Sequence, residues 1–364
     1  MKIQINTNDG SYPIYIGKNI FLNINKLLRR TKINPSKILV VYDSNVPKIL
    51  IKKILKKLSN KSVYKIEIVF NEKNKTFKTI SKILKKLQKN NFNRNDCLIS
   101  VGGGICGDIC GFASSIFKRG LAFVNVPSTF LSQVDSSIGG KTGVNSETGK
   151  NMIGTFYQPS IVISDTIFLK SLPKKEMICG YAEILKHSLI SNRKFFDYLR
   201  KNFKKIIQKD SKHLKIAIFK SCNIKKRIVE KDEKEKNLRK TLNLGHTFAH
   251  AFEASKGYTK KLNHGEAVLL GIMSASKFSH KKNLLKDNEF NLIMEHLKKL
   301  NYDNLNRYFK IKDIPKIIEY MKQDKKNQNN LINLILLQKI SRPIINKNFS
   351  KIEIKKFFDR LIYN

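Results

Sequence analysis

The first 165 residues alternate short β-rich runs with helical stretches, and then the alternation stops. "KIQI", "YPIYIG", "KILVVYD", "VYKIEIVF", "DCLISVGGG", "LAFVNVP" and "SIVISD" are bounded by Gly, Pro, Asn or Asp, as strands are. Between several of them lie amphipathic stretches such as 45–58 and 76–90. That order predicts a parallel α/β sheet. From about residue 172, "KEMICGYAEILKHSLI", "KHLKIAIFKSCNIKKRIVEKD", "LGHTFAHAFEAS", "GEAVLLGIMSASKFSHKK" and "NEFNLIMEHLKKL" carry helix periodicity with almost no strand signal. The expectation is an α/β domain over 1–168 and an all-α domain over 169–364. "LINLILLQKI" stands apart, reading equally as a strand or a short buried helix. No internal repeat is visible.

The chain has 364 residues, long enough for two domains, and an ordinary 41% apolar content. Its charge is unusual, with 71 Lys and Arg against 28 Asp and Glu, a net +43. The lysines run through nearly every segment, as in "KKILKKLSNKS", alternating with Ile and Leu at helical spacing. No basic run is interleaved with aromatics and no Cys/His finger occurs, so solvated helix faces explain the charge better than specific nucleic-acid binding. Such a field still steers anionic substrates inward. No apolar run approaches the roughly 20 residues that span a bilayer. "MKIQINTNDG" lacks an apolar signal-peptide region. The five cysteines (97, 106, 110, 179, 222) are odd in number and form no C-x-x-C pair, which suits buried thiols in a cytoplasmic protein.

"SVGGGICGD" contains G-x-G-x-x-G at Gly102, Gly104 and Gly107, directly after a strand. Glycines there let a backbone approach a pyrophosphate, although a tight strand-to-helix turn needs them too. The acid that the dinucleotide fingerprint requires further on is absent between Asp108 and Asp135. Asp43 and Asn45 close an earlier strand and are placed either to meet a ribose or to make a turn. "VDSSIGGKTGVN" nearly matches a P-loop, with Gly140, Lys141 and Thr142 in place, but Asp135 stands where the first glycine belongs. A carboxylate facing phosphate oxygens argues against that reading. What survives is a Gly-rich, Lys-bearing turn. With Lys150, Asn151 and Arg119 nearby in sequence, it suggests a phosphorylated ligand.

His246 and His250 lie four apart in "LNLGHTFAHAFEASKGY", on one helix face. Glu183 and His187 form a second such pair, and Glu253, His264 and Glu266 complete the candidates for a metal. A catalytic zinc takes about three protein ligands. Spacing alone allows several triads.

Together the segments resemble the 3-dehydroquinate synthase family of the sugar phosphate cyclases. The likeness runs in order through "FNEKNKTFK", "SVGGGICGDICGFAS", "FKRG", "VPSTFLSQVDSSIGGKTGVN", "GKNMIGTFYQPS", "CGYAEILKHSL", "KDEKEKNLRKTLNLGHTFAH", "NHGEAV" and "QDKK", or roughly residues 10 to 340. It implies a Rossmann-like NAD-binding domain followed by a helical domain that binds metal and substrate. The implied metal, zinc or cobalt, is held by Glu183, His246 and His264. His250 then faces the substrate and handles protons, and His187 is no ligand. The implied substrate is the anionic sugar phosphate DAHP. NAD oxidises it transiently, phosphate is eliminated, the hydride returns, and the ring opens and closes again as an aldol.

Carried over by motif, Lys141, Asn151, Arg239, Asn243, His250 and Lys326 (or Lys325) surround the substrate, mostly at its phosphate and carboxylate. Asp135 and Lys186 hold hydroxyls, and Lys225 joins them or the carboxylate. Arg119 serves the neighbouring subunit of a homodimer. NAD meets Asp43, Asn45, Glu72, Lys75, Gly103, Gly104, Ile105, Cys106, Gly107, Asp108, Ser128, Thr129, Lys141, Lys150 and the turn Phe168, Leu169, Lys170 and Ser171. Two departures from the family pattern stand out. Asn71 replaces a glycine beside Glu72, and Asn237 replaces a glycine whose left-handed backbone asparagine tolerates nearly as well. A sister cyclase acting on another sugar phosphate and a metal-dependent NAD alcohol dehydrogenase are the competing readings.

Overall fold

Seven short apolar runs become the strands of one sheet in the computed structural model. It describes residues 1–147, 149–257, 259, 261–322 and 331–363. Nine strands precede the helical part: β1 (Lys2–Thr7), β2 (Gly10–Gly17), β3 (Lys37–Asp43), β4 (Ser62–Ile68), β5 (Cys97–Gly102), β6 (Ala122–Pro127), β7 (Lys141–Ser146), β8 (Gly149–Phe156) and β9 (Ile161–Asp165). The sheet order is β1-β2-β9-β6-β5-β3-β4. Its pairs are parallel except the β1–β2 hairpin.

The two-residue period of a strand sends neighbours to opposite faces. Ile38, Val40, Tyr42, Ile99 and Val101 face α1 (Ile24–Arg30) and α2 (Lys48–Lys57). Leu39, Val41, Leu98 and Phe123 face α3 (Phe77–Lys89) and α4 (Gly104–Ile116). Both faces are covered, which is why β3 and β5 read as unbroken apolar runs. In α2, Leu50, Ile51 and Ile54 point inward, while Lys48, Lys52, Lys53, Lys56 and Lys57 are exposed. Much of the positive charge is therefore the wet side of amphipathic helices.

The chain forms two compact units. The first holds residues 1–180 and 204–234, the second 181–203 and 235–364. Helices α5 (Lys174–Ser191) and α6 (Arg193–Ile207) precede α7 (Ser211–Lys231). Sequence grouped α7 with the helical half, yet it packs on β1 and β2, where Glu230 accepts from the Asn6 N–H at 2.7 Å, and it buries Leu214, Ala217, Ile218 and Cys222. Periodicity reveals which helix face is apolar, not what that face meets.

The second unit contains α8 (His246–Ser255), α9 (His264–Lys281), α10 (Asp287–Lys299), α11 (Ile314–Lys322) and α12 (Lys351–Tyr363). It is mainly helical but also carries a hairpin of β10 (Ile332–Lys339) and β11 (Arg342–Phe349). The ambiguous "LINLILLQKI" is thus a strand. Ser279 Oγ accepts from Leu337 N–H at 3.0 Å, and Glu289 accepts from Ile340 N–H at 2.6 Å. α8 and α9 approach closely at Gly245 and Gly271. A Cβ on Gly271 would lie 2.2 Å from the Gly245 carbonyl oxygen, and Gly245 itself has φ +76°. Among the described residues no helix is long and apolar enough to cross a membrane.

Candidate active site

In the first unit β5 ends at Gly102 and α4 begins at Gly104, with Gly103 as an N-cap that makes no side-chain hydrogen bond. The first-turn amides are left for an anion. A Cβ would lie 2.5 Å from Cys106 if built on Gly102, 3.2 Å from Thr129 if on Gly103 and 2.8 Å from Ser136 if on Gly104. Side chains here would fill the cradle that a pyrophosphate needs, so these residues fit a dinucleotide. Ile105 and Gly107 are half-buried, and Cys106 is buried against the sheet. The Ser128 amide donates to the Gly102 carbonyl at 2.8 Å, and Thr129 and Ser132 bond reciprocally. Asp43 Oδ1 accepts from the backbone and side-chain nitrogens of Asn45, both at 3.0 Å. Burial pushes the Asp43 carboxyl above its ordinary value. Asp165 caps the turn 166–171 by accepting from Ile167 N–H at 2.9 Å. Phe168 and Leu169 are buried there, and Lys170 and Ser171 are exposed.

Lys75 is buried, with Nζ 2.5 Å from Asp108 Oδ2 and also on Asn151 Oδ1. Burial raises the Asp108 carboxyl even though the Lys75 ammonium opposes it. Asn71 caps the short turn Glu72–Asn74 by accepting from Asn74 N–H at 2.9 Å, so the departure from glycine leaves that turn closed. Lys150 Nζ lies 3.8 Å from Glu72. Gly139 and Gly140 bend the chain at φ +96° and +65°, and Lys141 then opens β7. A P-loop would continue into a helix, so the structure excludes that reading. A small cavity lined by Asp108, Ser136, Gly140 and Lys141 brings the glycine turn to the start of α4. Lys225, from α7, donates to the Asp135 carboxylate and carbonyl at 2.7 Å. Arg119 is exposed at a tight turn, with φ +63°.

The second unit gathers the metal candidates. Glu183 lies within α5, and His246 and His264 are the first residues of α8 and α9. A capping box between Asn263 and Glu266 sets the start of α9, which spends Glu266 on the helix end. Nε2 of His246 and of His264 lie 3.5 and 3.6 Å from Glu183 Oε1. These separations exceed a hydrogen bond, and Glu183 Oε1 is buried without a partner. Donors at about 2.0–2.1 Å from a tetrahedral zinc sit roughly 3.4 Å from one another. The three residues therefore fit a divalent ion.

Their other atoms are held. His246 Nδ1 is 3.3 Å from the Leu244 carbonyl, and His264 Nδ1 is 2.9 Å from Glu253 Oε2. Lys186 bonds to Glu183 Oε2. Burial opposes the Glu183 charge, but the Lys186 ammonium and the two imidazoles hold its carboxyl well below the usual range. Burial, reinforced by Lys186, lowers His246. Burial also disfavours charge on His264, yet Glu183 and Glu253 outweigh it and push that imidazole up to about 10. Glu253 was one candidate ligand among several by spacing, and no pattern in the sequence signals its contact with His264.

His250 is exposed, its ring perpendicular to that of His246 with centroids 5.4 Å apart. His187 is buried within α5. Arg239 is 2% exposed, and Asn243 Nδ2 donates to Glu235 at 2.8 Å. Asn237 is not left-handed, with φ −140°; Glu235 takes that conformation at φ +60°. The expectation for Asn237 is thus corrected, because the reversal falls two residues earlier. Lys325 and Lys326 lie outside the described residues.

A family model described as 3-dehydroquinate synthase N-terminal matches residues 65–179, and one described as 3-dehydroquinate synthase C-terminal matches 180–327. The 3-dehydroquinate synthase of Pelagibacter ubique is 54% identical over 361 residues, covering 99% of this chain and 98% of its own. Among solved structures, a 2-deoxy-scyllo-inosose synthase complexed with carbaglucose-6-phosphate, NAD+ and Co2+ superposes with a TM-score of 0.88 at 24% identity, over 98% of each chain. The 2-epi-5-epi-valiolone synthase of Streptomyces hygroscopicus subsp. jinggangensis, with NAD+ and Zn2+ bound, gives 0.86 at 22% identity, again over 98% of each chain. At these identities the structural likeness speaks for the fold.

Proposed function

The chain belongs to the 3-dehydroquinate synthase family, and from that premise we infer that it converts DAHP to 3-dehydroquinate and phosphate. It is a phosphate-eliminating lyase of the shikimate pathway, using NAD and a divalent metal. When bound, NAD supplies a hydride acceptor restored within each turnover, and zinc or cobalt supplies Lewis acidity at the alcohol being oxidised.

Glu183, His246 and His264 would hold the metal, with Glu253 and the Leu244 carbonyl orienting the two rings and Lys186 fixing the carboxylate. The cradle from Gly103 to Asp108 takes the pyrophosphate, and Asp43, Asn45, Glu72, Lys75, Ser128, Thr129, Lys150 and the turn 168–171 take the rest of the dinucleotide. Lys141, Asn151, Arg239, Asn243 and Lys326 bind the anionic ends of the substrate. Asp135, Lys186 and Lys225 orient its hydroxyls, and an imidazole nitrogen of His250 exchanges protons with it. Orientation and charge placement are the main contributions of these side chains. The reading includes a homodimer in which the exposed Arg119 serves the partner, and a cytoplasmic location.

The observation that carries the assignment is the buried, unpartnered Glu183 Oε1 facing two imidazole nitrogens. The test is phosphate release from DAHP by the metal-loaded protein, with and without catalytic NAD. Release that needs NAD while no NADH accumulates supports the assignment. NADH accumulation points to a dehydrogenase, and no release despite bound NAD and metal points to a sister cyclase.

A further inference from the structure

Asn145 sits where the β7–β8 pairing shifts register, between Val144 and Ser146. Such an irregularity re-aims a side chain. Its backbone N–H donates to the Lys75 carbonyl at 2.8 Å. Its amide works at both ends. Nδ2 donates to the Glu72 carbonyl at 3.2 Å and to Glu72 Oε2 at 3.0 Å, while Oδ1 accepts from Asn151 N–H at 2.9 Å. Asn151 adopts φ +55° and directs its own Oδ1 to Lys75 Nζ. One side chain thus spans the turn at 72–75 and the strand carrying Lys150 and Asn151.

We propose that Asn145 is a positioning residue that locks the dinucleotide-side turn at Glu72 and Lys75 to the substrate-side Asn151. The roles at the two ends rest on the function proposed above. The position needs one donor and one acceptor on a short planar group, which asparagine has and an ionised aspartate lacks. Aspartate would keep the acceptor for Asn151 but set a second carboxylate against Glu72. The charged groups around that pair are Lys150, 3.8 Å from Glu72 Oε2, and the ion pair of Lys75 with Asp108, whose carboxyl also feels the Glu72 charge.

The experiment compares Asn145→Asp and Asn145→Ala with the parent. NAD affinity is measured without substrate by quenching of protein fluorescence between pH 5.5 and 8.5, and phosphate release from DAHP is measured alongside. Both variants should bind NAD about tenfold more weakly at pH 8. The Asn145→Asp deficit should shrink as pH falls and one of the paired carboxyls takes up a proton, whereas the Asn145→Ala deficit should stay flat. In turnover, kcat of Asn145→Ala should fall more than its KM for DAHP rises. Parental NAD affinity in both variants, or an Asn145→Asp deficit independent of pH, overturns the proposal. If the parent binds NAD but releases no phosphate, the function assignment fails, and the affinity series still decides the role of Asn145.

Discussion

Nδ1 of His264 lies 2.9 Å from Oε2 of Glu253, which leaves the opposite nitrogen of the ring facing Glu183. A carboxylate behind a metal-binding imidazole fixes its tautomer and raises its basicity, and losing such a partner typically weakens metal binding about 10–100-fold. Glu253→Gln should therefore reduce zinc affinity by roughly tenfold or more while leaving NAD affinity unchanged. Chelator competition against the purified protein measures the first quantity. An affinity equal to that of the parent would show that His264 orients itself without Glu253.

Lys186 and Glu183 are both nearly inaccessible and bonded to each other. Removing one member of a buried ion pair leaves the other without a countercharge, at a cost of about 3–5 kcal/mol. Lys186→Met should lower the denaturation midpoint of the metal-free protein accordingly, and added zinc should restore part of the loss by neutralising Glu183. Denaturant melts with and without metal test this. A metal-free midpoint equal to that of the parent would mean that Glu183 is solvated in solution.

Gly271 and Gly245 set the approach of α8 to α9, and His246 follows Gly245 directly. A Cβ on Gly271 meets backbone, which cannot swing aside. Gly271→Ala should cost on the order of 2–3 kcal/mol and displace His246, so weaker metal binding should accompany the lower melting temperature. Gly257→Ala is the comparison. It violates a positive φ, as Gly271→Ala does not, and its Cβ would meet only Thr259 Cγ2 at 3.9 Å. That variant should lose about 1 kcal/mol and bind metal normally.

The same contrast between local pattern and distant partner explains what the sequence disclosed. All seven strands of the main sheet were legible: central strands such as β3 and β5, buried on both faces, are short unbroken apolar runs, and the edge strands β1 and β4 are short alternating runs, each with turn residues at its ends. The β7–β8 hairpin was not. β8 is largely exposed and Gly143 and Gly154 pair across the hairpin, so its residues carry no alternation that would signal a strand. At the metal centre, spacing suggested helical pairs such as His246 with His250. The three donors that face one another come from the middle of α5 and the starts of α8 and α9, a set that no single helical period contains. Family likeness named that set where periodicity offered several. Neither signal reaches the contact between Glu253 and His264, because it exists only once two helices have packed.

A buried histidine away from the metal gives the last expectation. His296 is 1% exposed, accepts or donates at 2.8 Å with Tyr181 Oη, and stands edge-on to Phe196 and Phe203. Burial, aided by the positive charges of Arg200 and Lys299, lowers its imidazole to about 3. An unfolded chain protonates the same ring near its ordinary value of about 6.5. Between these values the unfolded state binds more protons than the native state, so stability must fall as pH falls through this window. The contribution is complete above about pH 6.5 and is lost progressively towards pH 3, amounting to several kcal/mol at the order-of-magnitude level. Glutamine can keep the bond to Tyr181 without titrating. In metal-free protein, where protonation of the metal-binding residues is common to both forms, His296→Gln should show a shallower decline of the urea midpoint between pH 6.5 and 4.5 than the parent. Equal slopes would mean that His296 gains water and charge without unfolding the packing around it.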